Sequence, residues 1–321
     1  MNLKILLLCS FVCLVSIHGK AVTNSADPST VYAVTWNVGE ENPPKQNSLR
    51  ELLGQISSSD VNPDIVIVGL QEVTMNLAKA AKNAVVGDKW TEEIDKLLKN
   101  NNDYHKVHSE SLVGLLLNVY VKIKYKDAIT EKKANVVKTG FKGTVGNKGA
   151  VILKYKLNNR WYCIVNSHLP AHDDKVEDRI DDYKIINKER GKLCNTASDY
   201  MFWLGDLNFR LDEKLDDKTI REKINQRKFD ELLKQDQLKV NKETQEIFTN
   251  FKEKEITFPP TFKLEKGKGT YSSQRRPAWT DRVLYKSETA KTITPTLYSS
   301  IQNYKESDHY PVQAQFFIKQ Q

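Results

Sequence analysis

Eight polar residues carry the groups that proton transfer, metal binding and oxyanion stabilisation require: Asn37, Glu72, His168, Asp206, Asn208, Asp281, Asp308 and His309. The densest segment is Phe202-Trp203-Leu204-Gly205-Asp206-Leu207-Asn208-Phe209-Arg210. Gly205 lets the backbone turn tightly, and Asp206 and Asn208, two apart on an extended chain, leave it on the same side. A carboxylate placed there can orient water or take its proton, and a carboxamide beside it can hold an oxygen. Taken alone, Gly, Asp and Asn in this order also describe an ordinary turn. The other six residues argue against that reading. Asn37 closes the apolar run from Val31, Glu72 follows the run 64–70, His168 ends 161–168, Asp281 lies in 279–285, and Asp308-His309 precedes 310–318. Surface carboxylates would scatter over turns and helix faces, so side chains kept to strand ends predict one shared rim.

The elements that must position this rim are legible as hydrophobic runs. Strands are expected over 31–37, 64–70, 112–122, 150–157, 161–168, 201–204, 279–285 and 310–318, and helices over 48–56, 91–99, 175–198, 218–234 and 242–251. The unbroken apolar run 64–70 fits a strand buried on both faces. Segment 140–149 holds four glycines with Lys142 and Lys148. It can bring backbone N–H groups and ammonium charge to an anion, or it can serve as a flexible hairpin connection. Beyond Pro259-Pro260 the chain turns basic, with Lys263, Lys266, Lys268, Arg275 and Arg276.

Composition sets the class and the address. The chain has 321 residues and a formal net charge of +8, which favours anionic partners such as phospholipid headgroups, phosphorylated small molecules or nucleic acid. Lys4, the apolar stretch 5–15 and the small residues after it form a secretory leader over 1–19. A tail over 20–29 and a single domain over 30–318 follow. The mature chain is expected to be secreted and soluble, because no later apolar run is long enough to cross a bilayer. Cys9 and Cys13 leave with the leader. Cys163 and Cys194 are expected either to pair in an oxidising compartment or to stay as separate buried thiols.

The motifs carry a strong resemblance. Thr35-Trp36-Asn37, Gly69-Leu70-Gln71-Glu72, the glycine-lysine segment, Asn166-Ser167-His168-Leu169 and 203–210 resemble the inositol polyphosphate 5-phosphatases. So do Pro277-Ala278-Trp279-Thr280-Asp281-Arg282-Val283-Leu284 and Ser307-Asp308-His309-Tyr310-Pro311-Val312. With its leader and without an accessory domain, the chain looks like the secreted salivary forms of blood-feeding bugs. The resemblance implies an α/β (α+β) four-layer sandwich, two packed β-sheets flanked by helices in the DNase I-like manner, with the site at one rim. It also implies a Mg²⁺-dependent hydrolase of the 5-phosphate of phosphoinositides or soluble inositol polyphosphates, working as a monomer in peripheral contact with anionic membranes. Glu72 would hold the metal, with Asn37 and Asp308 beside it. Asp206 would orient or activate water, and Asn208 would hold that water or a phosphate oxygen. His168 would donate to the phosphoryl oxygens, and Asp281 would fix His309. Either Asp206 or His309 serves as base. Lys148, His172, Lys263, Arg275 and Arg276 would contact substrate. The family's Tyr-Lys pair for the 4-phosphate is here Phe262-Lys263, so a phenolic donor is missing, and Arg276, Lys266 or Lys268 could compensate.

Two other readings share the fold. A DNase-type nuclease would use the same basic surface, but the glycine-lysine and 263–276 segments favour a compact polyphosphate, and no nucleic acid is expected. A haem-thiolate nitrophorin branch resembles 203–208, 279–285 and 304–309. It needs an available cysteine, and 71–104 contains none.

Overall fold

In the computed structural model the described residues are 27–55, 62–74, 88–99, 103–140, 148–195, 198–244, 247–288 and 292–319. The expected leader, most of the expected tail and 141–147 of the glycine-lysine segment lie outside them.

One sheet holds six strands: β1 (Thr30–Asn37), β2 (Ile65–Gln71), β3 (Tyr104–Leu112), β4 (Leu115–Lys122), β10 (Thr292–Ser300) and β11 (Val312–Lys319), in the order β10-β11-β1-β2-β4-β3. The other holds β5 (Ile129–Lys138), β6 (Gly149–Leu157), β7 (Arg160–His168), β8 (Tyr200–Asp206) and β9 (Asp281–Ser287), in sequence order. Each sheet contains one parallel pair, β1 with β2 and β7 with β8. Parallel neighbours need a crossover, which α1 (Gln46–Leu52) and α3 (Val176–Cys194) supply. This topology explains the strand-end pattern. The four parallel strands finish on one rim with Asn37, Gln71-Glu72, His168 and Asp206. Antiparallel β9 and β11 begin on that rim, bringing Asp281 and Asp308-His309.

Three apolar layers hold the sandwich. Val31, Ile67, Leu117, Leu153, Ile164 and Phe202 lie in the layer between the sheets. Outside the first sheet, α2 (Lys89–Lys99) buries Trp90, Ile94, Leu97 and Leu98, one face at helical spacing, against Trp36 and Val68. Outside the second, Ile180, Tyr183 and Ile186 of α3 cover Ile152, Val165 and Trp203. The expected four layers are borne out. Cys163 and Cys194 are paired, which resolves the alternative left open by the sequence and fastens the end of α3 to β7.

Several expected elements differ. The strand expected over 112–122 is the second arm of a hairpin, and β3, β5 and β10 were not anticipated. β3 and β5 lie at sheet edges and are largely polar, so no apolar alternation marks them. Helix 218–234 is divided into α4 (Asp217–Asn225) and α5 (Phe229–Leu233). The helix expected over 242–251 is not found as such. Helix α6 (Gln237–Thr244) ends early, and 247–250 form turns with Phe248 and Asn250 at positive φ.

Opposite the rim, buried Asp64 takes the backbone N–H groups of Ser29 (2.9 Å) and Thr30 (3.2 Å) and faces Lys122 and Lys124. Burial pushes its carboxyl up, but the Ser29 bond and then the two ammoniums outweigh burial and hold it below the usual range. A depressed carboxyl stabilises above its unfolded pKa and loses that contribution as pH falls through the folded value. Asp64→Asn should therefore cost about 1–3 kcal/mol at pH 7. In thermal melts, the gap from wild type should close below pH ~4.

Candidate active site

The rim encloses a cavity of about 270 Å³, lined by Asn37, Glu72, Lys148, His168, Ala171, His172, Asp206, Asn208, Arg210, Phe262, Lys263, Arg275, Asp308 and His309. Two glycines let its walls approach. A Cβ on Gly205 would lie 2.0 Å from the Ser167 carbonyl oxygen, and one on Gly69 would lie 2.9 Å from Leu204 across the seam. Beneath the cavity, Gln71 Nε2 donates to Asn166 Oδ1 (2.7 Å), and Asn166 Nδ2 donates to the Leu70 and Leu116 carbonyls (3.1 and 2.9 Å). These motif residues pin the sheets together and leave the chemistry to their neighbours. The motif tryptophans act similarly: Trp36 Nε1 donates to the His309 carbonyl (2.9 Å) and Trp203 Nε1 to Ser167 Oγ (2.9 Å).

Asp206 lies at the centre, with 1% of its surface exposed. Its Oδ2 accepts from Asn37 Nδ2 (3.0 Å) and faces Nε2 of His168 (3.3 Å) and of His309 (3.9 Å); its Oδ1 accepts from the Asn208 N–H (3.1 Å). Burial alone would push this carboxyl up. The hydrogen bond and charge of His168, with His309 and Lys148 behind, outweigh it and hold the group ionised well below the usual range.

The two histidines are tuned apart. His309 Nδ1 lies 2.9 Å from Asp281 Oδ2, which also accepts from Thr261 Oγ1 (2.6 Å) and Thr280 Oγ1 (2.9 Å). Burial lowers the imidazole, but Asp281, followed by Asp206 and Asp308, raises it to about 9, so it is protonated at neutral pH. His168 moves the other way, lowered by burial and then by Lys148. Its Nε2 stands between Lys148 Nζ (2.5 Å) and Asp206 Oδ2 (3.3 Å), so the ammonium pushes the ring down and the carboxylate pushes it up. Lys148 places an ammonium beside His168 in the cavity wall.

Asp206, Asp281 and His309 lie close enough to surround a cation. Their donor chemistry argues against it, because His309, protonated and bonded to Asp281, has no ring lone pair to offer a cation. Glu72 is a better holder. It follows β2 at φ 54°, its carboxylate is 31% exposed, and it lies 3.9 Å from His168 Nε2. Such a carboxylate beside Asn37 and open solvent suits Mg²⁺, which takes one or two carboxylates and keeps several waters. Asp308 opens to the same cavity but is bound to Lys263 at 2.8 Å. The charge of His309 and then the Lys263 bond hold its carboxyl below the usual range against burial.

Among the expected substrate contacts, Lys148, His172, Lys263 and Arg275 line the cavity. Arg276 is a correction. Its guanidinium bonds Asp173 and the carbonyls of Leu211, Asp212 and Leu215, which turn it away from the cavity. Lys266 is held by Gly39 and Glu41, and Lys268 by Glu265, so neither replaces the missing phenol. Arg210 is the residue that sequence reasoning passed over. It is 3% exposed, stacks 4.1 Å over Phe262, bonds Asn208 through Nε and Nη2, and leaves Nη1 buried without a partner among the described residues. The signal was its place at the end of segment 202–210. Arg282, beside Asp281, faces the opposite side of β9 and is clamped by Asp236 and Glu253.

A double-sheet sandwich whose rim gathers these groups is an endonuclease/exonuclease/phosphatase fold. The chain belongs to endonuclease/exonuclease/phosphatase family 2, whose pattern matches residues 34–315. It is 36% identical over 299 residues to the type II inositol 1,4,5-trisphosphate 5-phosphatase of Mus musculus, which covers 88% of this chain and 29% of that protein. It is 33% identical over 319 residues to phosphatidylinositol 4,5-bisphosphate 5-phosphatase A of Homo sapiens, covering 92% of this chain and 31% of that protein. The chain spans about three-tenths of the length of these curated relatives. Among solved structures it resembles the inositol polyphosphate 5-phosphatase domain of SPsynaptojanin, in complex with inositol (1,4)-bisphosphate and calcium ion. The TM-score there is 0.76 at 28% identity, covering 91% of this chain and 86% of that one. A Cimex nitrophorin ferrous NO complex scores 0.74 at 28% identity, covering 91% and 98%. The expected kinship with inositol polyphosphate 5-phosphatases is borne out.

If Asp281 is what keeps His309 protonated, Asp281→Asn should lower the His309 pKa from about 9 to near the ordinary ~6.5. An NMR titration of the imidazole C–H signals would read this directly. As members of one unit, Asp281→Asn and His309→Ala should lose activity non-additively. Additive losses would show that they act separately.

Proposed function

We propose that this chain is a Mg²⁺-dependent phosphatase that removes the 5-phosphate from inositol polyphosphates or phosphoinositides. The cavity itself carries this reading: one buried, ionised carboxylate faces a ring of cations from Lys148, Lys263, Arg210, Arg275 and His309. The printed activities of the relatives and the inositol bisphosphate bound by the SPsynaptojanin domain support the substrate class. The catalytic unit is taken as 30–318. Secretion is supported by the leader and by the Cys163–Cys194 bond, since disulfides persist in oxidising compartments. Among the described residues no helix is long and apolar enough to cross a membrane, and contact with lipid is proposed to be peripheral and electrostatic.

Phosphate monoester hydrolysis depends mainly on positioning and charge stabilisation. Asp206, fixed by Asn37 and the Asn208 N–H, orients a water toward phosphorus. Lys148, paired with His168, and the free Nη1 of Arg210 offer N–H groups to the phosphoryl oxygens as charge develops. His309, kept protonated by Asp281, adds a fixed cation beside Asp206. Glu72, with Asn37 and Asp308, would hold Mg²⁺, which when bound supplies Lewis-acid polarisation of a phosphate oxygen. The nitrophorin likeness argues for haem only if a thiolate is free. The two described cysteines are joined, and a visible spectrum without a Soret band would close that reading.

Phosphate release from inositol 1,4,5-trisphosphate should require a divalent cation. Glu72→Gln, which keeps the shape and removes the charge, should lower kcat by orders of magnitude at an unchanged melting temperature. Wild-type turnover by this variant at saturating Mg²⁺ would overturn the role of Glu72. For the 4-phosphate, recognition is expected to lean on Lys263 and exposed Arg275. Arg275→Ala should reduce kcat/KM for a 4,5-bisphosphate by about tenfold or more, as one charge-assisted bond is worth roughly 1.5–3 kcal/mol. A substrate without the 4-phosphate should be affected much less, and equal losses on both would place Arg275 elsewhere in the mechanism.

A further inference from the structure

Arg179 is a buried cation behind the cavity wall. It lies in the first turn of α3 and is 0% exposed. Nη1 donates to the carbonyls of Pro170 (3.0 Å) and His172 (2.6 Å), and Nη2 donates to the carbonyl of Asp173 (3.3 Å) and to Gln237 Oε1 (2.7 Å). All four acceptors are uncharged. Asp173, whose backbone carbonyl takes Nη2, gives its carboxylate to Arg276 at 2.9 Å. A guanidinium buried without a carboxylate is costly, so its fork has to be held by well-placed carbonyls.

Those carbonyls belong to the segment that leaves β7. Leu169 is tied to the site on both sides: its N–H donates to the Asp206 carbonyl (3.0 Å), and its carbonyl accepts from Asn208 Nδ2 (3.0 Å). Beyond it, Ala171 and His172 line the cavity, and His172 has the left-handed φ of 79°. An exposed residue in that conformation has no packing to hold it, and the Arg179 fork spans it from both sides. Gln237 extends the network. Its Oε1 also accepts from the Arg210 N–H (2.9 Å), and its Nε2 donates to the Asp173 carbonyl (3.3 Å). Burial, then Arg210, lowers the Arg179 guanidinium to about 10, so it stays charged at neutral pH.

We propose that Arg179 is a positioning residue for the substrate rim: its fork fixes the 170–173 backbone from which His172 reaches the cavity, and the shared Gln237 couples that rim to Arg210. This rests on the proposed phosphatase activity. Arg179 touches no substrate in this arrangement and acts through His172.

The test uses Arg179→Lys, which keeps the charge and loses the fork, with His172→Ala and the double variant. Inositol 1,4,5-trisphosphate and Mg²⁺ serve for kinetics, and amide hydrogen exchange serves as a second readout. Arg179→Lys should raise KM on the order of tenfold with kcat changed much less, and the double variant should be no worse than the poorer single one. Exchange should quicken over 170–175 and stay unchanged in the sheets. Gln237→Ala, which removes the shorter of the two Nη2 bonds, should shift KM in the same direction and stands in if Arg179→Lys does not fold. Additive losses, a KM unchanged while exchange quickens locally, or exchange raised uniformly across the domain would each overturn the proposal. A wild-type protein inactive on every inositol phosphate would instead overturn the proposed function, while the exchange comparison would still report whether Arg179 anchors the segment.

Discussion

The Asp206 carboxylate is the constraint on which the rest depends. A charge buried this deeply costs several kcal/mol unless it is compensated. Its compensation comes from Asn37 on one sheet and from His168 and the Asn208 N–H on the other. His309 and Lys148 add charge from further off. The two sheets are therefore held in register at the rim by one anion that each helps to satisfy. Arg210, Lys263 and Arg275 bring further positive charge to the cavity, where an anion can take it.

The Asp281–His309 pair works by a related logic at the other wall. Two threonine hydroxyls and one imidazole converge on Asp281 Oδ2, so that oxygen is committed before any ligand arrives. His309 is thereby kept charged in surroundings that would otherwise discharge it, while burial and Lys148 push His168 down. Two histidines that face one oxygen of Asp206 are thus shifted in opposite directions.

Much of this was legible in the sequence because strand ends are sharp features. Apolar runs that stop at Asn37, Gln71-Glu72, His168 and Asp206 pointed to the rim, and the resemblance to a family supplied the architecture. The parts that escaped have physical reasons. Edge strands such as β5 read as loop because their exposed face carries charge. Arg276 belongs to a segment that suggested phosphate contact, yet a one-residue step from Arg275 along a turn changes the side a group faces. It is held by Asp173 and by backbone carbonyls away from the cavity. Arg179 and Gln237 gave no signal because their value lies in which backbone oxygens they reach, which depends on how α3 and α6 dock. The resemblance to a family named rim residues more sharply than composition could, and Lys266 and Lys268, offered in place of the missing phenol, are held elsewhere.

The site also ties activity to the order of assembly. Trp36 donates to a carbonyl 273 positions away, Ser307 to one 270 positions back, and Asn37 meets Asp206 across 169. Such distant pairings form slowly, since loop closure must precede the contacts that reward it. β11 enters between β10 and β1, so the last of the described strands completes the interior of the first sheet. A nascent or half-folded chain contains every reactive side chain and still has no cavity. The finished cavity and the finished fold arrive together, so the side chains that line the rim act as one site only after distant parts of the chain have met.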